Sequence, residues 1–188
     1  ATIFAYGQTG SGKTYSMIGL NDSENLKGII PRSFEHIMKL ISSCAENKNF
    51  MVTASFLEIY NEEIHDLLMK PGNKCELRET PEKGFFVKDL SQTVVHSVSE
   101  LVKLLAIGNK HRVIGETKMN DKSSRSHTIF NIRVESSLDL GPNVKPKIAI
   151  GKLNLVDLAG SERQNKTQTT DQRFKEGVKI NLSLSALG

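Results

Sequence analysis

The run GQTGSGKT, Gly7 to Thr14, constrains the fold of this 188-residue chain more than any other stretch. Its spacing, Gly-x-x-x-x-Gly-Lys-Ser/Thr, requires a strand before it and a helix after it. Residues Ile3 to Tyr6 are apolar and β-prone, and residues Lys13 to Ile18 can open a helix. The sequence therefore predicts a strand–loop–helix unit, and a Gly-rich surface turn is the less favoured alternative.

Glycines followed by a lysine in this arrangement suit a bound phosphate. Glycine lets backbone N–H groups turn toward an anion without a Cβ clash, and the helix N-terminus adds partial positive charge. Lys13 would reach the β- and γ-phosphates of a nucleotide, and the Thr14 hydroxyl would ligate Mg²⁺. We therefore expect the whole loop to bind a nucleotide, through Gly7, Gln8, Thr9, Gly10, Ser11, Gly12, Lys13 and Thr14.

A second segment with the character of a phosphate or metal site is KLNLVDLAG, Lys152 to Gly160. Its apolar residues predict a buried strand that ends at Asp157, where ligands bind in parallel α/β sheets. Asp157 can hold a magnesium-bound water, and the Asp-x-x-Gly spacing puts the Gly160 N–H where a γ-phosphate could be sensed. An Asp that merely caps a turn is the alternative, which the phosphate loop makes less favourable.

The third segment is NDKSSRSH, Asn120 to His127, followed by strand-like residues Thr128 to Val134. Ser123 and Ser124 offer hydroxyl groups to a metal and to a water molecule. Arg125 needs a carboxylate or phosphate partner if its side chain turns inward. Taken alone, the run is equally typical of a polar turn.

Composition limits the class of protein. The chain is 38% hydrophobic and 24% charged, which predicts one soluble globular domain over residues 1–188 and argues against disorder. No apolar run approaches the roughly 18 residues of a membrane span, and no signal peptide is visible, so a cytosolic setting is expected. Cys44 and Cys75 have no metal-ligand or disulfide-framework spacing.

Basic residues are concentrated at the end of the chain, although the formal net charge is only +4. The segment from residue 163 onward contains five basic and two acidic residues. An acidic macromolecular partner is one explanation of this excess. On charge alone, a solvated helix face is the favoured explanation.

The three segments together resemble the kinesin motor domain. FAYGQTGSGKT resembles the family's phosphate loop, NDKSSRSH its first switch and LVDLAGSER its second switch. GIIPR, FLEIYNEEIHDLL and KEGVKINLSLSALG are also similar to kinesin segments, so the resemblance covers essentially the whole chain. VKDL, GKLNLVDLAGSERQ and KINLSLSALG resemble the kinesin-2 group. One run departs from the family, because QNKTQTTDQRFKEG has no glycine before Gly177 where members usually carry several.

The resemblance implies an α/β P-loop NTPase fold with a central, mostly parallel sheet flanked by helices, incomplete at both ends. It implies a microtubule-stimulated ATP hydrolase that couples hydrolysis to movement, although this fragment alone is expected to fold poorly and to be weakly active or inactive. A microtubule-binding module with an idle nucleotide site is the alternative. A GTPase is less favoured, because Asn165-Lys166-Thr167-Gln168 ends in Gln where the guanine-reading motif has Asp.

The resemblance also implies roles for individual residues. Mg²⁺ would be bound by Thr14 and Ser124, with Asp157 contacting it through water. The attacking water would be surrounded by Ser123, the Gly160 amide and Glu162, and Arg125 would pair with Glu162 when the site closes. Tyr15 would lie against adenine, with a packed aromatic as an equal alternative. Tubulin would be contacted by Lys166, Arg173, Lys175 and Lys179, and secondarily by Lys83 and Lys88.

Microtubules are thus the expected partner, in the cytoplasm and cytoskeleton, and in the cilium if the chain is kinesin-2-like. No nucleic acid or membrane contact is expected, and oligomerisation would use regions outside these residues. The remaining patterns predict scaffold: a helix from Arg32 to Ala45, a strand from Met51 to Tyr60, a helix capped by Ser97 and Glu100, and a hairpin loop from Gly141 to Lys147. His127 belongs to the first-switch signature but has no assigned role, and the remaining histidines are expected at the surface or in packing, namely His36, His65, His96 and His111.

Overall fold

The computed structural model describes residues 1–20, 24–44, 48–82, 84–114, 124–141 and 144–162. Its helices and strands, in chain order, are β1 (Thr2–Ala5), α1 (Lys13–Met17), α2 (Ile29–Ser42), β2 (Lys48–Tyr60), β3 (Glu63–Asp66), β4 (Lys74–Thr80), β5 (Gly84–Lys88), β6 (Thr93–Val95), α3 (Val98–Ile114), β7 (His127–Leu138) and β8 (Lys147–Asp157). Within these ranges, no helix is long and apolar enough to cross a membrane.

The strands form a single sheet with the order β1-β8-β7-β2-β3-β4-β5, and β6 pairs with β2. This mixed sheet confirms the α/β prediction, but the expectation of a mostly parallel sheet was wrong for the described residues. Among the pairs described, β1 with β8 is parallel and the others are antiparallel. Short links account for several of these pairs, because a connection such as the predicted loop between β7 and β8 can join only antiparallel neighbours. The pairing of β2 with β7 joins strands that are far apart in the chain, so it depends on the tertiary fold.

Strand register brings the three predicted segments to one edge of the sheet. Ala5, the last residue of β1, pairs with Asp157, the last residue of β8. On the other side of β8, Thr128 near the start of β7 pairs with the same aspartate. The loop after β1, the turn after β8 and the segment before β7 therefore meet around Asp157.

The core lies between this sheet and helices α2 and α3. Three phenylalanines form its centre, with the Phe130 ring centroid 5.0 Å from that of Phe34 and 5.1 Å from that of Phe56. Helix α2 begins at Ile29, three residues before the predicted Arg32, because Pro31 is tolerated in a first helical turn.

The start of α3 carries the predicted capping box. The Ser97 hydroxyl accepts a hydrogen bond from the Glu100 N–H at 3.3 Å, and the Glu100 carboxylate accepts one from the His96 N–H at 2.8 Å. These bonds satisfy amide groups that a helix N-terminus leaves without intrahelical partners. Near the other end of α3, His111 Nδ1 lies 2.8 Å from the Leu67 carbonyl oxygen, which is consistent with a packing role.

Gly108 in α3 is required by packing against Phe56. A Cβ at this position would lie closer than 3.0 Å to two atoms of the Phe56 ring. Replacing a glycine inside a helix by alanine normally stabilises the helix by about 1 kcal/mol. At position 108, however, the added Cβ would overpack the core, which costs roughly 1–3 kcal/mol. We therefore expect the substitution to lower the melting temperature of the full-length protein. Phe56→Leu in the same chain should restore part of the loss, and an increased melting temperature for Gly108→Ala would contradict the prediction.

Candidate functional site

The loop between β1 and α1 has the geometry of a phosphate-binding loop. Gly10 and Gly12 adopt φ angles of +78° and +87°, a region that residues with a Cβ rarely occupy. The Lys13 ammonium donates hydrogen bonds to the carbonyl oxygens of Gly7 at 2.9 Å and Gln8 at 2.8 Å. The predicted strand–loop–helix unit is thus confirmed, with its lysine held against the loop. Tyr15 is 51% exposed on α1, and its contact with adenine stays a prediction.

Asp157 and Thr14 lie together as predicted for a metal site. The Thr14 hydroxyl donates a hydrogen bond to Asp157 Oδ2 at 2.6 Å. Asp157 is 3% exposed, and its Oδ1 atom is buried without a hydrogen-bond partner among the described residues. A buried carboxylate oxygen requires a donor, a water or a cation. Because Mg²⁺ prefers oxygen ligands and retains water, this hydroxyl and carboxylate fit the magnesium site that the sequence predicted.

The turn after β8 is tied to both neighbouring segments through consecutive amides. Leu158 and Ser161 donate to carbonyl oxygens of the β1 side, while Ala159 and Gly160 donate toward β7. The Leu158 N–H donates to Ala5 O at 3.3 Å, and the Ser161 N–H donates to Gly7 O at 3.1 Å. The Ala159 N–H donates to His127 Nδ1 at 3.1 Å, and the Gly160 N–H donates to Ser124 O at 2.8 Å. The three segments chosen from the sequence therefore form one continuous hydrogen-bonded site.

His127 is a neutral acceptor in this network. Its Nδ1 accepts from the Ala159 N–H, so the ring proton belongs on Nε2. Burial lowers the pKa of His127 and outweighs the nearby negative charge of Asp157, which acts in the opposite direction. The neutral form is therefore favoured, as the hydrogen bond requires.

Glu162 lies against the phosphate loop. Its carboxylate accepts hydrogen bonds from the Thr9 N–H at 2.8 Å and the Thr9 hydroxyl at 2.5 Å. Partial burial raises the pKa of Glu162, but the two bonds from Thr9 and the charge of Lys13 outweigh it, so that the pKa lies below its usual value. A Cβ on Gly160 would lie closer than 3.0 Å to Thr9 Oγ1 and to both Glu162 carboxylate oxygens. Glycine at 160 thus allows the ionised carboxylate to approach the loop.

Sequence reasoning missed two buried charged residues beside this site, Glu58 of β2 and Arg112 of α3. They are 1% and 6% exposed. Arg112 Nε lies 3.7 Å from Glu58 Oε1, and Arg112 Nη1 lies 3.9 Å from Asp157 Oδ2. A third guanidinium nitrogen, Nη2, donates to the Ser126 hydroxyl at 3.2 Å. The available signal was a glutamate inside the apolar run FLEIY, since a buried carboxylate requires a cation.

Several predicted site residues are not tested by these contacts. The part of the chain that the structure describes does not include Ser123, Lys83, Lys166, Arg173, Lys175 or Lys179, or the glycine-poor run after Arg163. The roles of the Ser124 hydroxyl and of an Arg125–Glu162 pair stay predictions. Lys88 ends β5 at the sheet edge opposite β1, remote from the phosphate loop, with its ammonium 3.7 Å from Asp89.

Curated relatives of this chain are kinesin-like proteins. The chain is 50% identical to KIF3C of Rattus norvegicus and of Mus musculus, and 49% identical to KIF3C of Pongo abelii. Each alignment covers 100% of this chain and 26–27% of the relative. The chain therefore spans about a quarter of the length of these relatives. Because KIF3C is a kinesin-2 protein, the kinesin-2 prediction is confirmed.

Solved kinesin structures share the fold. A fast kinesin matches with a TM-score of 0.88 and 42% identity, over 100% of this chain and 52% of that one. KIF14 bound to a microtubule with ADP matches with a TM-score of 0.85 and 42% identity, over 99% of this chain and 53% of that one. A family model for the kinesin motor domain matches residues 1–188 in full. The chain belongs to the kinesin motor domain family.

Proposed function

We propose that these residues are the nucleotide-hydrolysing part of a microtubule-dependent ATPase motor, and that residues 1–188 form one segment of its motor domain. The observation that carries the proposal is the convergence on Asp157. Thr14 of the phosphate loop bonds its side chain, and Gly160 of the same turn bonds Ser124 of the first switch. One site thus contains groups from all three segments that must respond to a terminal phosphate.

Phosphoryl transfer requires positioning and charge neutralisation more than a strong base. The loop amides and Lys13 would bind the phosphates of ATP. Thr14 and Ser124 would hold Mg²⁺, with Asp157 contacting it through water, and the bound ion would neutralise phosphate charge. The ionised Glu162 carboxylate would accept a proton from the attacking water, with Ser123 and Arg125 beside it. The Gly160 N–H would exchange its Ser124 partner for the γ-phosphate.

The proposed partner is the microtubule, through acidic tubulin. Support comes from the basic residues beyond Arg163 and from KIF14 relatives solved on microtubules with AMP-PNP or ADP. Opposite charges on the two surfaces would speed association and set its salt dependence. A cytoplasmic, cytoskeletal location follows from this partner, and the kinesin-2 relationship adds the cilium as a proposed location.

Steady-state ATP turnover by the full-length protein, with and without microtubules, tests the proposal. We expect microtubules to accelerate ATP turnover, and we expect ATP to be hydrolysed faster than GTP. A folded protein that binds microtubules and hydrolyses neither nucleotide would be only a binding module. Preference for GTP would instead identify a GTPase switch.

Removing the Thr9 hydroxyl should change the pH dependence of hydrolysis. Burial raises the pKa of Glu162 and hydrogen bonds to the ionised carboxylate, including that of the Thr9 hydroxyl, lower it, so Thr9→Val should raise this pKa. Less of the carboxylate is then ionised at a given acidic pH, and the acid limb of the kcat profile should move to higher pH. Thr9→Ser keeps the hydroxyl and is the control. An acid limb that moves to lower pH, or equally in both variants, would contradict the prediction.

Neutralising Lys166, Lys175 and Lys179 to alanine should weaken microtubule affinity by about tenfold at low salt and flatten its salt dependence. The reason is the loss of three cations from the proposed tubulin-binding segment. Lys39→Ala, on the exposed last turn of α2, is the control for a general charge effect. An unchanged salt response in the triple variant would indicate that the basic segment is only a solvated face.

A further inference from the structure

His127 has a well-defined contact that the proposed chemistry does not use. It is the first residue of β7 and is 8% exposed. Its Nδ1 accepts a hydrogen bond from the N–H of Ala159, which is completely buried. The imidazole thus connects the end of the first switch to the turn that follows Asp157.

The hydrogen bond between Ala159 and His127 lies just beyond the last backbone pair of β7 with β8. The backbone pairing of β7 with β8 includes Thr128 and Asp157, and β8 ends there. Among the four amides from Leu158 to Ser161, three donate to backbone carbonyl oxygens and the Ala159 amide donates to a side chain. A buried N–H without an acceptor is strongly disfavoured. The conformation of the turn at Ala159 therefore depends on the identity of residue 127.

Ala159 lies between the two functional parts of the turn, Asp157 and Gly160. The Gly160 N–H bonds Ser124 O at 2.8 Å and must leave it in order to face a phosphate. The Ala159 bond, one residue earlier, is anchored to the end of a long central strand and need not change. Because Ala159 is held in place, the Gly160 N–H can change partners only by a local rotation of the backbone next to it.

We propose that His127 is a positioning residue for the proposed ATPase site. Its imidazole holds the Ala159 amide in place while the neighbouring Gly160 N–H changes partners. The proposal rests on the proposed function, because Gly160 has this second partner only when a γ-phosphate is bound. His127 does not touch the phosphate in this scheme. It acts by keeping the Asp157–Gly160 backbone in place.

Two side-chain amides provide a matched test. The Oδ1 of Asn stands the same number of bonds from Cβ as the Nδ1 of His, whereas the Oε1 of Gln stands one bond farther. His127→Asn should therefore keep an acceptor at the Ala159 N–H, and His127→Gln should misplace it. His127→Leu removes the acceptor at similar size. Hydrogen exchange of the 157–162 backbone amides in the full-length protein measures the bond directly, and ATPase kinetics measure its consequence.

We expect amide exchange in the turn to be about tenfold faster in the Gln and Leu variants, as loss of one buried hydrogen bond predicts. We expect their kcat to fall by about tenfold with KM for ATP changed less than about twofold, because positioning acts on the transition state. The Asn variant should stay within about threefold of the unmodified protein in both measurements. If the Leu variant does not fold, the comparison of Asn with Gln still decides.

Equal exchange rates in the Asn and Gln variants would overturn the proposal, as would faster exchange in the Gln variant with normal kcat. These failures are distinct from failure of the proposed function. Absence of ATP turnover in the unmodified, folded protein would overturn the proposed function. Turnover in that protein combined with identical Asn and Gln variants would overturn the role of His127 alone.

Discussion

Glu162→Ala is expected to lower the kcat for ATP hydrolysis by about 100-fold or more, in the range of a lost proton-transfer group. The carboxylate is ionised and held against the phosphate loop by two hydrogen bonds from Thr9. Alanine would remove the carboxylate that we propose as the acceptor for the proton of the attacking water. ATP binding should change little, because Lys13 and the loop amides, which would bind the phosphates, are retained.

Measurement of kcat together with ATP affinity in the full-length protein checks this expectation. Glu63→Ala is a matched control, since the pKa of Glu63 is also lowered, mainly by its hydrogen bond with Lys74, but Glu63 lies on β3, away from the phosphate loop. Glu63→Ala should leave kcat unchanged. Near-normal turnover in Glu162→Ala would remove Glu162 from the water-activating role, and loss of ATP binding would assign it to nucleotide binding instead.

Arg112→Leu is expected to destabilise the protein by about 3–5 kcal/mol, the usual cost of removing one partner from a buried ion pair. The guanidinium lies between the buried carboxylates of Glu58 and Asp157. Leucine would leave two buried negative charges near each other without their cation. Mg²⁺-dependent nucleotide affinity should fall as well, because Asp157 would lose a group that orients it.

Arg133→Leu provides the control, because the same substitution there breaks an ion pair that is more exposed. Arg133 Nη1 lies 2.6 Å from Glu135 Oε1, and the Arg133 side chain is 36% exposed. Exposed pairs contribute about 0–1 kcal/mol. Chemical denaturation should therefore separate the two variants clearly. Equal losses of stability would mean that the buried ion pairs of Arg112 contribute no more than the more exposed pair of Arg133.

Some features of the fold could be predicted from the sequence because they depend on residues that are close together in the chain. The phosphate loop, the capped start of α3 and the hairpin between β7 and β8 each have their turn or cap residues within a few positions. Short-range steric and hydrogen-bonding rules are sufficient for such features. The direction of the strands was less accessible, since pairing depends on which distant strands become neighbours.

The residues of the candidate site likewise include some that local patterns predict and some that only the folded chain brings together. Lys13, Thr14 and Asp157 could be proposed from the sequence because phosphate and magnesium chemistry requires those residue types at those spacings. Glu58 and Arg112 were not found, because each is an ordinary charged residue until folding buries it beside the other. The restriction on Gly160 likewise arises from Thr9 and Glu162, which approach it only in the folded chain.

The sequence by itself determined which segments have the residue pattern of a phosphate site and which family the chain resembles, because both depend on local patterns of residue type. Only the tertiary structure decided that the three segments close on Asp157, that Arg112 neutralises the buried acids and that His127 holds the Ala159 amide. The physical reason is that burial turns an unpaired charge or amide into a large energetic cost, and the partner that removes this cost is found only when distant strands are in register.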